Sequence, residues 1–195
     1  SCYSTLTGFK YIAELIENNK KEKFIAGGEE SYGYLVDDFV RDKDAIISSA
    51  VICEITNWGK SKGKTLTDIL ENIYNLHGLF IEKLYTIKME GIYGLKKINK
   101  IMENYRKNPP NKIFNDNVIK IIDYEKQSKN SIIKSKSNVI QIFSKNNYIL
   151  TLRPSGTEPK IKFYFSVNGI NYKKNKLKLS KLIDKEILKI KNEYE

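Results

Sequence analysis

Three short stretches of this sequence combine residue types that hold ligands. The run Arg153-Pro154-Ser155-Gly156-Thr157-Glu158-Pro159-Lys160 lies between two apolar alternations. Successive backbone N–H groups around Ser155-Gly156-Thr157 form an anion-binding concavity in such a loop, and the two hydroxyls add donors. Arg153 brings a planar fork suited to phosphate, and Gly156 permits close backbone approach. Alternation along the next strand sets Lys162 on the face opposite Phe163, away from the core and toward the same anion. The competing reading is an ordinary hairpin loop with a surface arginine.

The second stretch is Gly27-Gly28-Glu29-Glu30-Ser31-Tyr32-Gly33, after the short apolar run Phe24-Ile25-Ala26. Ligands of α/β sheets collect beyond the carboxyl ends of strands, where this loop falls. Paired carboxylates beside a hydroxyl suit sugar hydroxyls, because a carboxylate accepts two O–H bonds at once. They also suit a metal, but no further Asp/Glu/His cluster of ligand spacing completes such a site. A glycine turn with exposed acids is the plain alternative. The third stretch, Arg41-Asp42-Lys43-Asp44, opens an apolar helix. Acids favour a helix N-terminus, and so do bound anions. Held on that rigid helix, Lys43 is a candidate acid–base group whose pKa burial would depress. His77 reads as a surface or linker residue, Trp58 as core or hinge packing. Cys2 and Cys53 have no base partner near them in sequence, and two cysteines make neither a disulfide framework nor a zinc site.

Coarse periodicity supplies the elements that position these stretches. Phe9, Ile12, Ala13 and Ile16 form the stripe of an amphipathic helix with Thr7 as its N-cap. Asp44–Trp58 is apolar nearly all round, which predicts a deeply buried helix, and another helix runs from about Thr65 to Leu76. One visible strand, Phe24–Ala26, is too few for a sheet, so this half reads as a truncated α/β layer. After His77-Gly78 the pattern changes. Strand alternations occur around Tyr85–Met89, Val118–Ile122, Val139–Phe143, Tyr148–Leu152 and Ile161–Val167. Asn146-Asn147 marks a hairpin turn. Gly94–Lys107 and a segment carrying Leu179, Ile183, Ile187 and Ile190 read as helices, and the Ser/Lys/Asn-rich stretch Gln127–Asn138 as a mobile loop. The summed expectation is a β-α-β-β-β-α unit of mostly antiparallel pairing, with domains at 1–79 and 80–195.

Lys+Arg number 34 against 23 Asp+Glu, a net charge of +11. Nucleic-acid readers rely on arginine forks for base and phosphate contacts. Here only Arg41, Arg106 and Arg153 are arginines, and the lysines are spread among Asn and Ile along the whole chain. That pattern argues for compositional lysine and against a nucleic-acid surface, although it still attracts anions. No apolar run reaches the roughly 20 residues of a transmembrane helix, no signal-peptide pattern opens the chain, and the cysteine usage fits a reducing cytoplasm.

The ordered set Thr7-Gly8-Phe9-Lys10, Gly28-Glu29-Glu30-Ser31-Tyr32-Gly33, Arg41-Asp42-Lys43-Asp44 and Arg153–Lys160 resembles the α-D-phosphohexomutases, the phosphoglucomutase and phosphomannomutase group. The resemblance covers essentially the whole chain. It implies the later part of a third, α/β domain followed by a complete TBP-like fourth domain of α+β type. Glu29 and Ser31 then match sugar-hydroxyl contacts, and Thr7 and Lys10 a specificity segment. Arg153, Ser155, Gly156 and Thr157 match the loop that grips the phosphate not being transferred. Lys162 stands where many members place a second arginine, keeping the charge but losing the fork. Lys43 matches a basic residue near the reacting oxygen. Glu-Glu-Ser-Tyr-Gly looks more like the phosphoglucomutase branch.

The same resemblance implies a phosphorylated serine and a magnesium loop of Asp-x-Asp-x-Asp type in missing N-terminal domains, with a phosphosugar as substrate. Neither feature occurs here, so no metal site is expected in this segment, and the segment alone is expected to turn nothing over. The rivals are a phosphomannomutase or phosphopentomutase of the same family, a free-standing basic phosphate- or nucleic-acid-binding module, and a remnant of a broken reading frame.

Overall fold

The computed structural model describes residues 1–29, 32–126, 136–156 and 158–195. The chain falls into two compact units, Ser1–Leu70 and Glu71–Glu195. Glu30, Ser31, Thr157 and most of the loop expected over Gln127–Asn138 lie outside the described residues.

In the first unit, α1 (Phe9–Asn18) starts one residue later than a Thr7 cap requires. Its N-cap is Gly8, at φ +127°, with no side-chain cap bond. Of the expected stripe only Phe9 is buried. The strand expected at Phe24–Ala26 slides onto the glycines as β1 (Ala26–Gly28), which pairs antiparallel with β2 (Tyr34–Val36). The helix α2 (Ala45–Ser61) is capped by Asp44, whose carboxylate accepts from the Ile46 and Ile47 amides at 2.8 and 3.0 Å. Deep burial of α2 is not found. Ile46 is 85% exposed and Trp58 54%, and Gly59 is the one buried residue of this helix. An all-round apolar sequence reports the packing partners a helix needs, and the described residues do not supply them. α3 (Leu66–His77) begins with a reciprocal cap in which Asp68 accepts from both the amide and the hydroxyl of Thr65 at 2.7 Å.

The second unit is built on one antiparallel sheet. Its strands are β3 (Leu79–Lys88), β4 (Lys112–Ile113), β5 (Asp116–Asp123), β6 (Ile140–Ser144), β7 (Ile149–Pro154) and β8 (Lys160–Gly169). They lie in the order β3-β8-β7-β6-β5-β4. The helices α4 (Gly91–Lys107) and α5 (Tyr172–Tyr194) complete it. The sheet is fuller than the β-α-β-β-β-α order, because all five alternating segments are strands and β4, at two residues, is too short to leave a periodic signal. Ile161, Phe163, Phe165 and Val167 of β8 are all buried, together with Leu150 and Leu152 of β7. They form the core with Ile98 and Met102 of α4 and Leu179 and Ile183 of α5. The intervening residues of β8 face away from that core. On the edge strand β3, Lys83 points inward and its Nζ meets Asp184 at 2.6 Å, a charge placement that discourages edge-to-edge pairing.

One buried acid secures the far side of this sheet. β4 and β5 are joined by a two-residue turn with Phe114 and Asn115 at φ +52° and +59°, the left-handed pair that a primed hairpin turn demands and that glycine or asparagine usually supplies. A buried phenylalanine there is strained. Its N–H donates to the Glu186 carboxylate at 3.0 Å, and Lys189 Nζ donates to the same oxygen at 2.9 Å. Removing that acceptor orphans a buried amide, so Glu186→Ala is expected to cost about 1–3 kcal/mol. Glu186→Gln, which keeps an acceptor, is expected to cost less; urea titration of the two variants checks the ranking.

Candidate functional site

The first unit brings together the Gly27–Gly33 and Arg41–Asp44 stretches and the Thr7–Lys10 segment. The loop after β1 folds back on itself: the Glu29 N–H donates to Gly33 O at 2.8 Å and the Tyr32 N–H to Glu29 O at 3.2 Å. This aims the Glu29 side chain at the start of α1, where Oε1 accepts from the Gly8 amide at 3.0 Å. Gly33 leaves room for the neighbouring segment, since a Cβ there would meet Lys43 Cδ at 2.8 Å and Glu29 Oε2 at 3.3 Å. The Lys43 side chain therefore lies across the loop beside the carboxylate, with Nζ 5.9 Å from the centre of the Phe9 ring. Gly8 and Phe9, Glu29, and Lys43, from three separate stretches of sequence, converge.

Lys43 nonetheless differs from its expected setting. It precedes the helix, is half exposed, and its Nζ pairs with Asp42 at 3.0 Å. That lysine holds the Asp42 carboxyl below its usual range, through its side-chain and backbone hydrogen bonds and its charge. The burial expected of Lys43 is not found. Lys10 Nζ lies 4.9 Å from the centre of the Tyr11 ring. Thr7 is partly buried, next to Gly8. Among the described residues no group of three or more His, Cys, Asp or Glu could hold a metal ion. Trp58, Cys2 and Cys53 are exposed.

In the second unit the loop after β7 is shaped mainly by backbone bonds. The Ser155 N–H donates to Lys160 O at 2.8 Å, the Lys160 N–H to Glu158 O at 2.8 Å, and the Met89 N–H to Pro159 O at 2.8 Å. The Glu158 N–H also donates to Ser155 Oγ at 3.3 Å. This changes the donor set expected from sequence. The Ser155 amide is spent on closing the loop, and its hydroxyl oxygen accepts from Glu158. A Cβ at Gly156 would meet no atom within 4 Å, so the loop has room for a ligand there. The Met89 anchor depends in turn on Gly94, where a Cβ would strike Met89 O at 2.4 Å. Nothing in the loop's own sequence reveals that dependence.

Register places the cations. Arg153 of β7 sits opposite Lys162 of β8, and Thr86 of β3 opposite the same lysine on its other side. Lys88 stands opposite Lys160 one step along. Alternation sends Arg153 and Lys162 to the face away from the buried Leu152 and Phe163. Like charges directly opposite one another in a sheet repel, and among the described residues no carboxylate forms an ion pair with either. Lys160 does have one: its Nζ meets Glu158 Oε1 at 2.8 Å. The Glu158 carboxyl is held below its usual range, first by that hydrogen bond and the Lys160 charge, then by Lys88 and Lys162. The third arginine of the chain, Arg106, has a structural post, meeting Asp123 at 3.0 Å and Glu125 at 2.6 Å.

Comparison with known proteins gives these two sites a context. Residues 1–77 match the family described as phosphoglucomutase/phosphomannomutase, alpha/beta/alpha domain III. The chain is 44% identical over 176 residues to a phosphoglucomutase of Staphylococcus haemolyticus (strain JCSC1435), a match covering 86% of this chain and 32% of that protein. It is 43% identical over 176 residues to a phosphoglucomutase of Staphylococcus aureus (strain USA300), with the same coverage. A solved structure of pp63/parafusin, a phosphoglucomutase from Paramecium in its open form, superposes with a TM-score of 0.59 at 20% identity. That superposition covers 84% of this chain and 28% of the other, and it speaks for the fold alone. The chain spans about a third of the length of the curated relatives it matches.

Proposed function

We propose that this chain is a carboxy-terminal portion of a phosphohexomutase and that it supplies the sugar-hydroxyl and substrate-phosphate contacts of a phosphoglucomutase-like enzyme, a reading supported by its likeness to phosphoglucomutases. The full enzyme would interconvert hexose 1-phosphate and hexose 6-phosphate through a bisphosphate. The observation that carries the reading is the outward Arg153–Lys162 pair beside an open loop. Two repelling cations, with no carboxylate paired to either among the described residues, are satisfied by a phosphate dianion, which the arginine fork meets with two parallel hydrogen bonds. Ser155 Oγ–H and Gly156 N–H would donate to the remaining oxygens, joined by the hydroxyl of Thr157. Lys162, a point charge rather than a fork, adds attraction but little directional demand.

Glu29 would read the sugar. One of its oxygens already accepts from Gly8, which fixes the carboxylate in place and leaves the other for an O–H donor. Ser31, Thr7 and Lys10 belong to the same proposed subsite, with Lys43 beside Glu29 as the cation nearest a reacting oxygen. The first domain of this reading is 1–79 and the second 80–195.

The phosphorylated serine and the magnesium ion belong, in this reading, to upstream polypeptide. Among the described residues no group of three or more His, Cys, Asp or Glu could hold a metal ion, and no step is assigned to one. Phosphoryl transfer needs both the nucleophile and the charge-neutralising metal, so the chain alone binds and does not turn over. The exposed apolar surface of α2 is where that upstream polypeptide would pack. Titrating the chain with glucose 1-phosphate and following its amide signals tests the binding half. Shifts are expected at Ser155, Gly156 and Lys162 and, with the sugar present, at Glu29 and Gly33. Inorganic phosphate should move the first group only. If glucose 1-phosphate leaves both groups still, the reading fails.

A further inference from the structure

The phosphate loop carries its own negative charge. Glu158 is an exposed acid in the loop that joins the two strands bearing Arg153 and Lys162, and it reaches back to Lys160 at 2.8 Å. Lys160 and Lys162 share the outward face of β8, and Lys88 stands opposite Lys160 on β3. The loop itself is held by backbone bonds from Ser155, Lys160 and Met89. The Glu158 carboxylate is thus an addition to the loop's architecture and not a support of it. Its depressed pKa agrees with a position inside the field of the same lysines that would draw a phosphate.

We propose that Glu158 is a built-in competitor for the phosphate site: its carboxylate neutralises the Lys88–Lys160–Lys162 corner while the site is empty and is displaced, or repels, when a phosphate dianion arrives. Such a group sets affinity from the unbound side. It weakens capture and speeds release of either end of a bisphosphate, which suits a reaction whose intermediate must let go of one phosphate grip and turn round. It also discriminates by charge, because a monoanion such as a carboxylate gains less from the cations for the same displacement of Glu158.

This inference rests on the phosphate-binding reading of the Arg153 loop, and its test separates the two. Inorganic phosphate is titrated into the whole chain at low ionic strength, and the Ser155 and Gly156 amide shifts are read for the native protein, Glu158→Gln and Arg153→Ala. Removing one charge at this range is expected to tighten phosphate binding about three- to tenfold in Glu158→Gln, a gain that shrinks as salt rises past a Debye length of about 8 Å. A supporting role for Glu158 would give the opposite sign, since a weakened loop binds less. Equal or weaker binding by Glu158→Gln, with Arg153→Ala still losing phosphate, overturns the competitor and spares the phosphate loop. No loss on Arg153→Ala overturns both.

Discussion

Arg153→Ala is expected to weaken phosphate binding by the chain about 10- to 100-fold, enough to carry a millimolar interaction out of measurable range. Each charge-assisted hydrogen bond of the fork contributes roughly 1.5–3 kcal/mol, and two act in parallel; partial exposure of the site keeps the loss at the lower end. The substitution leaves the fold alone. Arg153 faces away from the core, takes part in no ion pair among the described residues, and sits opposite a lysine that its removal relieves of repulsion. Stability should hold or rise slightly while binding falls, and that opposite movement is the signature to look for. Arg153→Lys restores charge without the fork and should recover only part of the affinity. Unchanged phosphate titration in Arg153→Ala would remove the clamp from this loop.

Restoring the upstream polypeptide, produced as a separate chain, is expected to raise mutase activity from none to a readily measured rate. The reason lies in α2. A seventeen-residue helix with Ile46, Ile52, Ile55 and Trp58 at its surface presents more apolar area than a folded monomer normally leaves open. Burying one such side chain stabilises by roughly 1.5–3 kcal/mol, so a few of them suffice to hold two polypeptides together. Ile46→Glu combined with Ile55→Glu should cut the restored rate at least tenfold at limiting partner concentration, with the second unit's unfolding unchanged. Full complementation by that double variant would place the docking elsewhere. Relative rates on glucose, mannose and ribose 1-phosphates in the restored enzyme would separate a phosphoglucomutase from its sister activities.

Much of the candidate site was legible because strand alternation and short motifs are local. The face carrying Lys162 follows from Phe163 being apolar, and the structure puts Arg153 directly across from it. The convergence of Gly8, Glu29 and Lys43 was legible only as three separate motifs. Their meeting depends on the turn that returns Gly33 to Glu29, and on a glycine small enough for Lys43 to cross. The spent amide of Ser155 could not be read at all, since it is decided by where Lys160 lies after the chain turns. Periodicity misjudged α2 for a related reason. An apolar pattern records the surroundings a helix evolved to meet, whether or not those surroundings are on the same piece of chain. Glu186 carried no signal, because an acid near the end of a long polar helix looks like solvent-facing charge until a strained turn 72 residues away is found beneath it.

The strand order of the second unit has a consequence in time. Among the described residues β3, the first strand of this unit to be made, pairs with β8, its last, over ten residue pairs from Leu79↔Gly169 to Lys88↔Lys160. On a ribosome adding about 5–20 residues per second, β3 would wait roughly 4–15 s for its partner. Through that interval its apolar face has no native neighbour in the sheet. Lys83, turned inward and matched to Asp184 only once α5 arrives, keeps the waiting strand from being a good template for anything else. A nascent chain arrested anywhere before β8 would therefore carry an orphaned strand rather than a smaller version of the sheet. Synthesis of this unit succeeds or fails on the arrival of β8 and α5.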